Sequence, residues 1–134
     1  MSLSNATEAD ALDVFLRGLD PAYRAGANNY LALLSGDPGE TASLVSEAAY
    51  TGYARIAVPK ASSWTGTSSP FTNSNLLQFP ACTAGSTAAT HFAIVDTASG
   101  PVGMMISGSL SATLNISAGI QPQFQAGSLS VSAD

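Results

Sequence analysis

The apolar pattern near the start of the chain predicts one amphipathic helix over residues 5–19. Large apolar side chains recur there at the spacing of a single helix face: Leu12, Phe15, Leu16 and Leu19. Asn5 is a candidate N-cap, with Glu8 three residues later as in a capping box. Gly18 and Pro21 mark the end of the helix. We expect the apolar face to pack on the protein's own sheet, and packing on a neighbouring subunit is the alternative.

The remainder of the chain alternates short apolar runs with turn residues, which predicts strands. The predicted strands cover residues 29–34, 52–59, 76–79, 90–96, 102–110, 113–117, 122–125 and 128–132. One helix followed by seven or eight short strands predicts a mainly β protein, a β-sandwich or jelly-roll-like domain. With 134 residues we expect a single domain over 1–134, in which helix 5–19 precedes a β domain over 29–134.

Residues 61–75 interrupt the strand pattern. They are rich in Ser, Thr, Asn and Gly, and their large side chains are Trp64 and Phe71. We predict a long surface loop or an irregular edge, a kind of segment that is often functional. The candidate protein-interface residues are therefore Leu12, Phe15, Leu16, Leu19, Trp64 and Phe71.

Charge is scarce and unevenly distributed. The formal net charge is −5, charged residues make up 10% of the chain, and eleven of the thirteen formal charges lie in residues 1–60. Four basic residues cannot form the basic stripe of nucleic-acid binding and weaken binding to anionic membranes. The uncharged tract 97–133 is interrupted by Pro101 and Pro122, so we expect no membrane span. A half-chain with so little charge is expected to meet protein rather than water.

Reactive groups are few. The sequence has one histidine, His91, and one cysteine, Cys82, which excludes a two-histidine zinc motif and an intrachain disulfide. A hydrolase using His91 with Asp96 would need a positioned nucleophile and an oxyanion hole, and five residues of separation place the two on opposite faces of a strand. We predict no catalytic residue, metal or cofactor, and a buried apolar role for Cys82.

Two smaller groups of side chains have alternative interpretations. Asp37 and Glu40 share a turn, but calcium takes six to eight oxygen ligands, so a solvated turn is favoured. Tyr50, Tyr53 and Trp64 form either an aromatic platform for sugars, as at a receptor-binding tip, or packing in a core or interface.

Several short motifs follow one another in a characteristic order. They are Tyr30-Leu31-Ala32-Leu33-Leu34, Asp37-Pro38-Gly39-Glu40, Gly52-Tyr53-Ala54-Arg55-Ile56-Ala57-Val58, Phe79-Pro80-Ala81, Thr90-His91-Phe92-Ala93-Ile94-Val95-Asp96, Gly108-Ser109-Leu110 and Phe124-Gln125-Ala126-Gly127-Ser128-Leu129. In this order the chain resembles a family of small tailed-bacteriophage virion proteins, commonly labelled tail-fibre-like, over nearly all of its length. The segment 64–71 and Ile120-Gln121-Pro122 depart from the usual pattern of that family.

The resemblance implies a non-enzymatic structural protein of the virion. The leading hypothesis is a capsid decoration (cement) protein that binds the major capsid protein as a homotrimer on the outer surface of the head. The alternative is a tail or tail-fibre component that takes part in host receptor binding. The N-terminal Met1-Ser2-Leu3-Ser4-Asn5 lacks the features of a signal peptide, so we expect synthesis in the host cytoplasm followed by assembly.

Overall fold

The computed structural model describes residues 2–132, and its first long element is the predicted helix. Helix α1 (Asn5–Leu12) continues as a π-helical turn over Asp13–Arg17. Gly18 ends it with a left-handed backbone (φ 67°), a conformation that glycine adopts without steric cost. The predicted cap is wrong by one residue, because Ser4, not Asn5, has the extended backbone, and its hydroxyl accepts the N–H of Thr7.

Ten strands lie within residues 2–132. They are β1 (Ser2–Leu3), β2 (Asn28–Leu34), β3 (Ile56–Pro59), β4 (Trp64–Thr65), β5 (Phe71–Asn73), β6 (Leu77–Gln78), β7 (Ser86–Val95), β8 (Met105–Ser117), β9 (Gln123–Phe124) and β10 (Ser130–Val131). The main sheet has the order β1-β8-β7-β2-β3, and two small sheets have the orders β10-β5-β4 and β6-β9. All of these pairings are antiparallel. The predicted mainly β class is confirmed.

The core lies between the main sheet and the small sheets. Leu31 and Leu33 of β2 face this side together with Phe92 and Ile94 of β7, and Leu129 packs on them from the C-terminal segment. The opposite face of β2 is covered as well, because Ala32 and Leu34 form a second cluster with Val95 and Met105. A strand covered on both faces has a continuous apolar sequence rather than an alternating one, which explains the run 31–34.

Strand β8 replaces the two predicted strands 102–110 and 113–117 with one element. Its pairing with β7 changes register between Ala89, which faces Leu114, and His91, which faces Ser109. The extra residues of β8 at this irregularity coincide with the predicted break. A bulge therefore accommodates residues 110–113 inside one strand, where the sequence pattern predicts two strands.

Buried hydroxyl groups connect helix α1 to the main sheet. The hydroxyl of Thr7 accepts the backbone N–H of Met105 at 2.9 Å and donates to its carbonyl at 3.3 Å. The backbone N–H of Ser4 donates to the same carbonyl at 3.0 Å. This attachment turns the side of the helix that carries Thr7 toward the sheet. No helix in the described residues is long and apolar enough to cross a bilayer.

A candidate protein-binding surface

The apolar face of α1 points away from the protein. Leu12 is 58% exposed, Phe15 81%, Leu16 78% and Leu19 47%. The expectation that this face packs on the protein's own sheet is wrong. The opposite side, with Thr7, Ala11 and Val14, lines a cleft against the sheet, and hydrogen bonds through Thr7 hold it there. The more apolar side of the helix is therefore exposed.

This surface is formed by Leu12 at the end of α1, Phe15 and Leu16 in the π-helical turn that continues it, and Leu19 just after Gly18. We name it the outward face of α1, and it has one means of binding. Its side chains carry no hydrogen-bonding group and no charge, so they bind only by removal from water. Contiguous apolar patches of more than a few hundred Å² are rare on monomers and mark interaction sites when they occur. Beside the face, Arg17 and Asp13 form an exposed ion pair at 3.1 Å.

Trp64 and Phe71 lie on a small sheet, where the sequence predicts a long surface loop or an irregular edge. Residues 61–75 contain β4 and β5, which pair Trp64 with Asn73. The Trp64 side chain is half-buried against the main core, whereas Phe71 is 38% exposed. Trp64 and Phe71 line one groove, and none of the four apolar residues of the helix face lines it.

An apolar groove separates this small sheet from the main sheet. It has a volume of about 420 Å³ and is lined by Asn29, Ala61, Trp64, Gly66, Phe71, Ile94, Ile106 and Val131. We name it the Trp64 groove. All of its lining side chains are uncharged, and their polar groups are the amide of Asn29 and the indole N–H of Trp64. The groove is thus a second apolar surface that the described chain leaves open.

Asn73 holds the small sheet in place, and nothing in the sequence pattern singles it out. Its side chain is buried, and its Nδ2 donates to the carbonyls of Asn75 and Gln125, each at 2.9 Å. Its Oδ1 accepts the N–H of Leu129 at 2.9 Å. One amide therefore connects β5 to the C-terminal segment, which positions the wall of the Trp64 groove.

The proposed aromatic platform of Tyr50, Tyr53 and Trp64 is not formed. Tyr50 is buried, and its hydroxyl donates to the carbonyl of Pro80 at 2.7 Å. The Tyr53 ring lies 5.5 Å from the Tyr50 ring in a T-shaped pair and stacks on Phe79. The two tyrosines are core residues that meet each other, and Trp64 lines a separate groove.

An ion pair with little exposure lies beside these tyrosines. Arg55 Nε donates to Glu47 Oε1 at 2.7 Å and Nη2 donates to Oε2 at 2.9 Å, with side-chain exposures of 4% and 18%. The remaining guanidinium donors bond to Thr97 and to the carbonyl of Gly100. The hydrogen bonds that the guanidinium donates to the Glu47 carboxylate raise the pKa of Arg55. The network connects the neighbouring segments around Glu47 and Arg55 to the loop at residues 97–100. Because the guanidinium donors all have partners within the chain, the network has a structural role.

The few reactive groups also have structural partners. His91 Nδ1 shares a hydrogen bond with the Thr90 hydroxyl at 2.9 Å. Asp96 Oδ1 accepts the backbone N–H groups of Gly103 and Met104, so the two hydrogen-bond to different partners. The buried role of Cys82 is confirmed. Within residues 2–132 no group of three or more potential metal ligands occurs.

Fold and surface together define a small, mainly β protein in which exposed apolar side chains, rather than ionisable groups, form the candidate site. The chain belongs to the family described as Podophage GP4 fiber I protein gp80, whose model matches residues 2–132. The resemblance to phage virion proteins is thereby confirmed. A search of curated proteins gave no match.

Proposed function

We propose that this protein is a structural subunit of a phage fibre that acts by packing against other proteins of the virion. The family is described as a fibre protein, which supports a role in a fibre, the alternative to a decoration protein that the sequence leaves open. The observation that carries the mode of action is the outward face of α1, where Phe15 and Leu16 are about four-fifths exposed. A protein that uses such a face binds by apolar burial and needs no reacting group.

A decoration protein on the head is the second candidate. It is favoured by the scarcity of charge in residues 61–132, where Asp96 is the one residue among Asp, Glu, Lys and Arg. An uncharged surface suits contact with several neighbouring shell subunits, such as the major capsid protein, and a homotrimer would multiply such contacts. Catalysis has no role in either candidate.

Substitution of the helix face in the phage tests the proposal. Phe15→Asp adds a charge at the centre of the face, and we expect the particles to lose the protein while the purified variant stays folded. Val45→Asp is the matched control, because Val45 is apolar, 94% exposed and outside the face. Quantitative mass spectrometry of purified particles measures incorporation. Normal incorporation of Phe15→Asp would contradict the proposal.

Labelling of the protein in intact particles separates the two candidates. Gold-labelled antibody viewed by electron microscopy should mark the fibres if the first candidate is right. Label distributed over the shell would favour the decoration role and exclude the fibre.

A further inference from the structure

Two apolar surfaces of opposite shape lie on the same chain. The outward face of α1 protrudes, with Phe15 and Leu16 as its most exposed side chains. The Trp64 groove is concave, with Phe71 and Val131 in its wall. We propose that the outward face of α1 in one copy binds the Trp64 groove of a second copy. This inference rests on the proposed function, which assigns the outward face of α1 a binding role. It adds that the partner of this face is a second copy of the same chain.

The size of the groove suits this occupant. An apolar cavity of roughly 150 Å³ is enough to hold a benzene ring, and the Trp64 groove measures about 420 Å³. There is room for the ring of Phe15 and for the neighbouring Leu16. The aromatic side chains of Trp64 and Phe71 give the phenyl ring partners for edge-to-face or offset packing.

The chemistry of the groove suits the same occupant. All of its lining side chains are uncharged, so burial of Phe15 desolvates no ionised group. The Asp13–Arg17 pair stays on the surface of the helix, since both of its members already satisfy each other. A charged or strongly polar ligand would find only two side chains for hydrogen bonding in the groove, the amide of Asn29 and the indole N–H of Trp64. An apolar side chain fits this lining better than a polar ligand does.

The area of the contact is large enough to contribute to an interface but small for a complete one. An aromatic side chain buries about 150–250 Å². Phe15 is 81% exposed and the three leucines are between 47% and 78% exposed, so the four residues together present on the order of 400 Å². A standard interface buries about 800 Å² per partner. The remainder has to come from the surroundings of both surfaces. We therefore expect association that depends on protein concentration.

The symmetry of this contact differs from that of two helices packing on each other. Helix face and groove are different patches, so the contact is heterologous and leaves each copy with one free surface of each kind. Such a contact repeats until it closes into a ring or continues as a chain, and a homotrimer would be one closed form. Direct helix-to-helix packing would instead be two-fold and would end at a dimer.

Two variants that each remove one surface test the pairing. Phe15→Asp removes the protruding side chain, and Phe71→Asp places a carboxylate in the groove wall at a residue that is already 38% exposed. Sedimentation velocity over a concentration series measures self-association, with Val45→Asp as control. We expect wild type and Val45→Asp to associate, and each single variant to stay monomeric at concentrations at least tenfold higher.

The decisive sample is the equimolar mixture. Phe15→Asp retains an intact groove and Phe71→Asp retains an intact helix face, so the mixture should form a one-to-one heterodimer and nothing larger. A mixture that stays monomeric would overturn the pairing, as would a monomeric wild type or association of Phe71→Asp at wild-type strength. Circular dichroism verifies folding, and Val131→Phe, which fills the groove without adding charge, replaces Phe71→Asp if that variant unfolds.

The two proposals fail in different experiments. If the purified wild type is monomeric while Phe15→Asp is still lost from particles, the pairing is wrong and the partner of the helix face is another virion protein. If copies pair as described but labelled protein is absent from fibres, the pairing stands and the proposed function is wrong.

Discussion

The Arg55 network and the outward face of α1 both depart from the usual arrangement of apolar groups inside and charged groups outside. The first buries a charge, and the second exposes large apolar side chains. Arg55 is a charged side chain with 4% exposure, whereas Phe15 is a large apolar side chain with 81% exposure. Folded proteins rarely bury arginine unless it is paired, and the guanidinium is paired with Glu47, Thr97 and Gly100. The helix face has no such compensation within its own chain. The buried charge of Arg55 is compensated within the single chain, whereas the exposed apolar face of the helix is compensated only when a partner covers it.

Substitution of Arg55 should have the largest effect, and it tests whether the buried Arg55 network stabilises the single chain. Arg55→Met leaves the Glu47 carboxylate largely buried without its counter-ion, and breaking such a pair costs about 3–5 kcal/mol. We expect the free energy of unfolding, measured by urea denaturation, to fall by about that amount. The double variant Glu47→Gln/Arg55→Met removes the unpaired charge and should recover part of the loss. A double variant as unstable as the single one would contradict this account.

The sequence predicts the helix and the strands better than it predicts which surfaces these elements contact. The spacing of Leu12, Phe15 and Leu16 indicates a helix, and the helix is present, but the periodicity of a face does not reveal what covers it. The structure shows that Thr7, on the less apolar side, makes the contact with the sheet. The strand over residues 29–34 is predictable because the apolar residues from Tyr30 to Leu34 are continuous, which is a purely local signal.

Other contacts were missed because they are long-range. Arg55 bonds to Thr97, 42 residues away, and a single sequence contains no signal that pairs them. Residues 61–75 predict a long surface loop or an irregular edge because Ser, Thr, Asn and Gly dominate them around Trp64 and Phe71, and this composition hides β4 and β5. The side chain of Asn73 connects β5 to the C-terminal segment, and its partners Gln125 and Leu129 lie 52 and 56 residues further along the chain.

Asn73 provides the second test, since it is an uncharged counterpart of the Arg55 network. Asn73→Ala removes three hydrogen bonds and leaves the N–H of Leu129 and two carbonyls without their partner. With about 1 kcal/mol for each bond, we expect the free energy of unfolding to fall by about 3 kcal/mol. Asn75→Ala is the control, because Asn75 takes part through its backbone carbonyl. Equal losses in both variants would contradict the role assigned to the Asn73 amide.

Alkaline pH tests the polar interior without a mutation. Burial, followed by the Glu47 carboxylate, raises the pKa of Tyr53, and burial with the Asp10 hydrogen bond raises the pKa of Tyr23. The unfolded value is 10.0, so the folded protein keeps both hydroxyls protonated after the unfolded chain has lost those protons. The stabilisation is complete below about pH 10 and is lost above it, by at most about 1.4 kcal/mol per pH unit for each tyrosine.

Urea unfolding between pH 8 and pH 11 measures this loss. Tyr23→Phe removes one titrating group, so its stability should fall less steeply above pH 10 than that of the wild type. Parallel curves for the two proteins would show that Tyr23 does not contribute to the alkaline slope.

The helix face should give the smallest effect on stability. Phe15→Gln and Leu16→Gln, combined in one variant, replace two side chains that are 81% and 78% exposed, and glutamine is a good helix former. Surface substitutions of this kind usually change the free energy of unfolding by no more than about 0.5 kcal/mol. Trp64→Ala is the matched contrast, since the indole is half-buried against the core and its removal should cost about 2 kcal/mol or more. A glutamine variant that loses more than about 1 kcal/mol would mean that the helix face packs on its own chain. A stable glutamine variant leaves an association partner as the physical reason for two large apolar side chains on the outside of α1.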